Sequence, residues 1–148
     1  MKAENSTRIQ FDSLSSNEAY ARGVTAAFLA RYDPTVPQLA DLKTAVSEAV
    51  TNCIVHAYKN ELGAVYLTAK IYEDRRVVVT VRDKGCGIED IGKAMEPMYT
   101  TCDTGERAGL GFAVMESFMD KLKVRSKVGK GTTVTLTKYL SSREQDNG

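Results

Sequence analysis

The chain has 148 residues, 43% hydrophobic and 26% charged, a balance ordinary for one soluble domain with a buried core. Twenty basic against 19 acidic residues leave a net charge of +1, which provides no basic footprint for nucleic acid and no acidic tail. Cys53, Cys86 and Cys102 lack metal-ligand spacing, Met1–Ser6 holds no apolar signal core, and no apolar run approaches the roughly 18 residues of a membrane span, so free thiols in a cytoplasmic protein are expected.

Arg8–Asp12 alternates polar and apolar residues and predicts a short first strand. Ser15 with Glu18 three residues on is a capping-box pattern, predicting a helix to about Arg31 with Ala26, Phe28 and Leu29 buried. On it, Glu18 and Arg22 stand at helical i, i+4 spacing. Asp33-Pro34 breaks the chain. Thr35, with Gln38 three on and Pro37 in the first turn, opens a second helix, and the stripe Leu39, Leu42, Val46, Val50 and Ile54 carries it to about Tyr58. Val65–Tyr72 and Arg76–Arg82 read as a hairpin turning at Glu73-Asp74-Arg75. Residues 89–108 read as a long loop with at most one short helical piece, and a loop of that length is usually functional, often a lid. A third helix from Gly109-Leu110-Gly111-Phe112 to about Met119, a hairpin of Leu122–Lys127 with Thr132–Tyr139, and a frayed tail from Ser141 to Gly148 complete one domain over residues 1–148. Helices covering one face of a mostly antiparallel sheet make a two-layer α/β sandwich.

Four segments carry chemistry. Glu48, Asn52 and His56 follow one another at four-residue intervals and so share the polar face of the second helix. Glu can take a proton from an attacking hydroxyl, and an Asn carbonyl suits Mg²⁺ when phosphates supply the other ligands. Asp83-x-Gly85-x-Gly87 follows a strand; its glycines permit close backbone approach, and the carboxylate can accept a hydrogen bond from an exocyclic amine such as adenine's. Gly105–Gly111 runs into a helix start, where free N–H groups and the helix dipole suit phosphates, with Arg107 a cation beside them. Gly129-x-Gly131-Thr132 is a glycine turn followed by a hydroxyl. Each alone is commonplace: a solvated helix face, a strand-ending turn, a flexible helix start, a hairpin.

In this order the four segments resemble the nucleotide-binding boxes of the GHKL ATPase/kinase superfamily. Ser47-Glu48-Ala49-x-x-Asn52-x-x-x-His56-Ala57-Tyr58 with Gly109-Leu110-Gly111-Phe112 is similar, more narrowly, to the bacterial anti-sigma-factor serine kinases. Residues 8–140 follow that pattern. Asn17-Glu18-x-x-Ala21-Arg22, Phe118-Met119-Asp120 and Gly131-Thr132-Thr133-Val134-x-Leu136-Thr137-Lys138 point to the sporulation branch rather than the general-stress (sigma B) branch. The resemblance implies the Bergerat fold, with ATP or ADP and Mg²⁺ as ligands. It implies Glu48 as general base, Asn52 on Mg²⁺ and Asp83 on the adenine amine with Thr132 assisting through water. Gly85 and Gly87 would shape the adenine side, and Thr100, Thr101 and Gly109, Leu110, Gly111 and Phe112 would line the nucleotide. Arg107 would contact the γ-phosphate or the protein substrate.

It further implies two protein partners, an RNA polymerase sigma factor of the sigma F type that is held inactive, and an anti-anti-sigma factor phosphorylated on serine. It also implies a homodimer, for which the first strand offers a pairing edge. Glu18 and Arg22, long and charged on one side of the first helix, and Thr51, with Cys102 and Lys84, are candidate partner contacts. His56 is expected to make a structural hydrogen bond. A histidine-kinase module would need another protein as phosphoacceptor, since His56 is the chain's one histidine. A gyrase- or Hsp90-like clamp would need a transducer after the last strand.

Overall fold

The computed structural model describes residues 2–59, 61–96 and 111–140. Strict alternation along the strands puts every second side chain into one core: Val65, Leu67, Ala69 and Ile71 on β2 (Ala64–Ile71), and Val77, Val79, Val81 and Asp83 on β3 (Arg76–Asp83), are all buried. β1 (Asn5–Asp12), β4 (Lys121–Lys127) and β5 (Gly131–Tyr139) complete a five-stranded sheet in the order β1-β2-β3-β5-β4. All four pairings are antiparallel.

The apolar face of the sheet is covered by α1 (Asn17–Ala30), α2 (Val36–Asn52) and the short α4 (Phe112–Phe118), while α3 (Ile91–Ala94) lies beyond β3 and packs toward β4. α2 is the central helix of this layer, in contact with α1, α4, β3 and β5. Its buried stripe Leu42, Ala45, Val46, Ala49 and Val50 meets Leu29, Phe112, Met115 and Leu136 in the core. The opposite face of the sheet is open, a shallow groove of about 610 Å³ where Arg82 lies 4.8 Å above the Tyr66 ring and Arg76 4.2 Å above Tyr72. Among the described residues no helix is long and apolar enough to cross a membrane.

Two helix boundaries differ from the expectations. At α1 the Ser15/Glu18 capping box does not form: the cap position is Ser16, in helical conformation and without a side-chain cap bond. Glu18 is turned instead toward Arg22 and the hydroxyl of Ser47 on α2, so tertiary partners take the carboxylate that a local cap would have used. Ala26 is only partly buried there, with Ala21 and Thr25 joining Phe28 and Leu29 in the core. The second helix stops being α-helical at Asn52, and Cys53–Ala57 winds into a π-helical turn closed by Tyr58 N–H to the Cys53 carbonyl at 3.2 Å. The Thr35/Gln38 box is complete, Gln38 N–H donating to Thr35 Oγ1 at 3.2 Å and Thr35 N–H to Gln38 Oε1 at 2.9 Å. Thr35→Ala removes the first of these bonds. It is expected to cost about 1 kcal/mol and to lower the midpoint of thermal unfolding, followed by circular dichroism, by roughly 2–5 °C. An unchanged midpoint would show that packing of α2 makes its cap redundant.

Candidate functional site: a buried carboxylate beneath two glycine turns

β3 delivers Asp83 to the end of the sheet on its buried side, where only 5% of the residue is exposed. Its Oδ1 accepts from Gly85 N–H at 2.9 Å and from Thr132 N–H at 3.2 Å, and Cys53 Sγ lies 3.4 Å from Oδ2. Three chain segments that are remote in sequence thus converge on one carboxylate. Burial raises the Asp83 pKa, and the three hydrogen bonds oppose that rise by favouring the charged form.

The turns around Asp83 are close-packed. A Cβ on Gly85 would run into the Ala57 carbonyl, one on Gly87 (φ +77°) into the Lys127 carbonyl, and one on Gly131 (φ +117°) into the Asp83 carbonyl. The Ala57 carbonyl at the end of the π-turn accepts from Cys86 N–H at 3.0 Å, and the Cys86 carbonyl accepts from Gly129 N–H at 2.8 Å. Ser126, absent from the expected site, ties these turns together. Its Oγ accepts from Ile88 N–H at 2.7 Å, reaches the Gly131 carbonyl at 3.1 Å and lies 2.8 Å from Thr132 Oγ1. Its signal in the sequence is a serine in the inward column of β4 otherwise filled by Leu122 and Val124. Tyr58 works similarly from the π-turn side, donating to the Ala64 carbonyl at 2.6 Å and accepting from Lys84 N–H at 2.7 Å.

Glu48 and Asn52 stand one turn apart near the end of α2, as the spacing predicts. The wider π-turn then changes the phase of the helix, so His56 does not simply continue their row. The His56 carbonyl accepts from Cys86 Sγ at 3.4 Å. Burial, then the charge of Lys59, lowers the His56 pKa, while partial burial raises that of Glu48. Gly111 (φ +71°) precedes α4 and faces Glu48 so closely that a Cβ there would meet its carboxylate. Thr100, Thr101, Cys102, Arg107, Gly109 and Leu110 lie outside the described residues, as do positions 141–148. Phe112, expected at the nucleotide, is in the core at 1% exposure.

The candidate partner residues gather at the α1–α2 junction. Arg22 Nε is 3.1 Å from Glu18 Oε1, and Ser47 Oγ donates to the same carboxylate oxygen. Glu18, Arg22, Ser47 and Thr51 line a groove of about 500 Å³ with Ser15, Ile54 and Val55. A second groove of about 310 Å³ adjoins it, containing Arg22, Ser47 and Glu48. Lys84 is elsewhere, exposed over the Tyr66 ring with Nζ 5.2 Å from the centroid.

The donor set suits an adenine nucleotide. A carboxylate has about four lone-pair sites; two backbone amides and a weak thiol donor leave Asp83 capacity for an exocyclic amine. Asp83, Gly131 and Thr132 also border a groove of about 330 Å³ at the strand ends, with Lys130 beside them. Among the described residues no three His, Cys, Asp or Glu side chains group to hold a metal. The Asn52 carbonyl oxygen is a donor that suits Mg²⁺ when phosphates and water supply the other ligands.

The sheet order, the one-sided helical cover and the glycine turns about Asp83 define a histidine kinase-like ATPase domain, and residues 11–138 match the family so described. The chain belongs to the anti-sigma F factor branch of this family. It is 53% identical over 140 residues to the anti-sigma F factor of Caldanaerobacter subterraneus subsp. tengcongensis, covering 95% of this chain and 97% of that protein. To the anti-sigma F factor of Priestia megaterium it is 45% identical over 140 residues, 94% and 95% of the two chains. Among solved structures, the RsbU and RsbW domains of Rv1364c from Mycobacterium tuberculosis superpose with a TM-score of 0.71 at 23% identity, covering 93% of this chain and 33% of that one. The catalytic domain of histidine kinase ThkA gives 0.56 at 16% identity, over 90% and 96%. At these identities the two structures speak for the fold alone.

Gly111→Ala would place a side chain in left-handed backbone and against Glu48 at once. It is expected to destabilise by about 1–2 kcal/mol and to displace Glu48. Denaturant unfolding checks the first effect and a structure of the variant the second. Unchanged stability with Glu48 in place would mean that the α4 start rearranges freely.

Proposed function

We propose that this chain is an anti-sigma factor and an ATP-dependent protein serine kinase, which binds a sigma F-type factor and phosphorylates a serine of its anti-anti-sigma antagonist. The observation that carries the reading is the contact between the buried Asp83 acceptor on β3 and the end of the helix that carries Glu48 and Asn52, with the Glu18–Arg22–Thr51 groove beside Glu48 on the flank of that helix. Family membership supports the same assignment, since the relatives bear the name anti-sigma F factor.

In this reading Asp83 accepts from the adenine amine, and Thr132, fixed by Ser126, orders the neighbouring polar contact. Gly85, Gly87 and Gly131 keep side chains away from the base. Asn52 offers its carbonyl oxygen to Mg²⁺, which when bound neutralises phosphate charge. Glu48 takes the proton of the incoming serine hydroxyl, so that oxygen attacks the terminal phosphorus and ADP leaves in line. A protein lying in the α1–α2 groove would come within reach of Glu48, which gives Glu18, Arg22 and Thr51 their role as partner contacts. Arg107, Thr100, Thr101 and the Gly109–Leu110 pair complete the nucleotide side, with Arg107 a lid contact. Two such chains pair as a homodimer, β1 being an edge strand of the sheet, and the protein acts in the cytoplasm.

Glu48→Gln keeps size and hydrogen bonding but removes the base. Transfer of labelled phosphate to the acceptor protein is expected to fall by about 10²–10⁴, with ATP affinity near that of the parent. Parent-like transfer would show that Glu48 is not the base; loss of ATP binding as well would make it a site-building residue. Because burial raises the Glu48 pKa, protonation silences it at a higher pH than an ordinary glutamate. The rate of transfer should therefore decline as pH falls, with a midpoint above that of an ordinary glutamate. A midpoint no higher than an ordinary glutamate's would contradict Glu48 as the base. Arg22→Glu should lower sigma-factor affinity and leave ATP affinity alone, measured by pull-down and calorimetry; unaltered sigma binding would return the pair to a solely structural link between α1 and α2.

A further inference from the structure

Cys53 is 3% exposed, and its thiol has two acceptors within reach, Asp83 Oδ2 at 3.4 Å and the Ala49 carbonyl at 3.5 Å. Among the described contacts it is the one donor to Oδ2, since both backbone amides go to Oδ1. A carboxylate held at one oxygen can still rotate about its Cβ–Cγ bond; one held at both oxygens cannot. The thiol also sits where α2 gives way to the π-turn, so this contact links the helix bearing Glu48 and Asn52 to the strand bearing Asp83. A thiol donates weakly. It can therefore orient Oδ2 before a ligand binds and share that oxygen with a stronger N–H donor from the ligand.

We infer that Cys53 is a positioning residue for base selection: its S–H aims Asp83 Oδ2 at the exocyclic amine of adenine and so sets the preference for adenine over hypoxanthine nucleotides. This rests on the reading of Asp83 as the adenine acceptor. The alternative is that Cys53 acts only as a small apolar filler, and the two differ in what they do to selectivity.

The test is calorimetric binding of ATP and of inosine triphosphate, which lacks the exocyclic amine, to the full chain. Cys53→Ala should weaken ATP binding about three- to tenfold, the worth of one modest hydrogen bond, with inosine triphosphate changed less than about twofold. Cys53→Ser, which restores a donor, should recover most of the preference. In an Asp83→Asn background Cys53→Ala should add almost nothing, because the two changes remove one unit. Equal weakening of both nucleotides, unimpaired ATP binding, a Ser variant no better than Ala, or additivity with Asp83→Asn would each overturn the proposal. Should Cys53→Ala fail to fold, Cys53→Val, which fills the volume without a donor, carries the same expectations. If the unmutated chain bound ATP and inosine triphosphate equally, the adenine role of Asp83 would fail first, and that result is read without any Cys53 variant.

Discussion

A carboxylate buried at the end of a strand must be surrounded by donors, because an unpaired charge there would cost several kcal/mol. In this fold Asp83 meets that demand with groups from three places: Gly85 just after β3, Thr132 at the start of β5, and Cys53 where α2 ends. The turn after β3 has to fold back sharply, the β4–β5 hairpin has to bring Thr132 alongside, and α2 has to run to its full length. Gly85, Gly87 and Gly131 make the first two possible, since each would clash with backbone if it carried a Cβ. Ser126 and Tyr58 then lock the turns from either side.

The same geometry places chemistry. α2 is the middle helix of its layer, so what it presents at its C-terminal end lies beside the strand ends that hold Asp83, while its flank faces α1. Glu48 faces Gly111 at the start of α4 and lines the groove with Arg22 and Ser47, which adjoins the one with Glu18. The proposed kinase reading uses this placement, with Glu48 as a base between a nucleotide and a protein hydroxyl. Polar cross-links keep the helices in place at this junction: Ser47 and Arg22 both engage Glu18, and Lys138 on β5 bridges Asp41 of α2, 3.4 Å away, and the Phe118 carbonyl of α4, 2.6 Å away.

Most of the architecture was legible because it follows from periodicity. Alternation in β2 and β3, the stripe of α2 and the Thr35/Gln38 box are local patterns with local causes, and the fold keeps them. The Ser15/Glu18 pattern misled because a side chain that fits a cap also fits an ion pair, and Ser47, 29 residues away, decided between them. The π-turn at Cys53–Ala57 was not legible; the stripe runs through Ile54 unbroken, and the change of winding becomes visible only once the Ala57 carbonyl and the Tyr58 hydroxyl are seen holding the loop after β3. Asp83 could be singled out only because four segments, three of them glycine-bearing, occurred in a familiar order. Ser126 left a fainter trace, one hydroxyl in an apolar column, and the Cys53–Asp83 contact left none, since 30 residues separate its members.

The central claim is that this site moves phosphate from ATP to a serine on another protein. The most direct measurement is incubation of the unmutated chain with γ-labelled ATP, Mg²⁺ and a purified anti-anti-sigma protein, followed by mass spectrometry of both polypeptides. Label is expected on one serine of the partner and none on this chain, with no transfer once Mg²⁺ is chelated. Label on His56, or ATP hydrolysis with an unmodified partner, would contradict it.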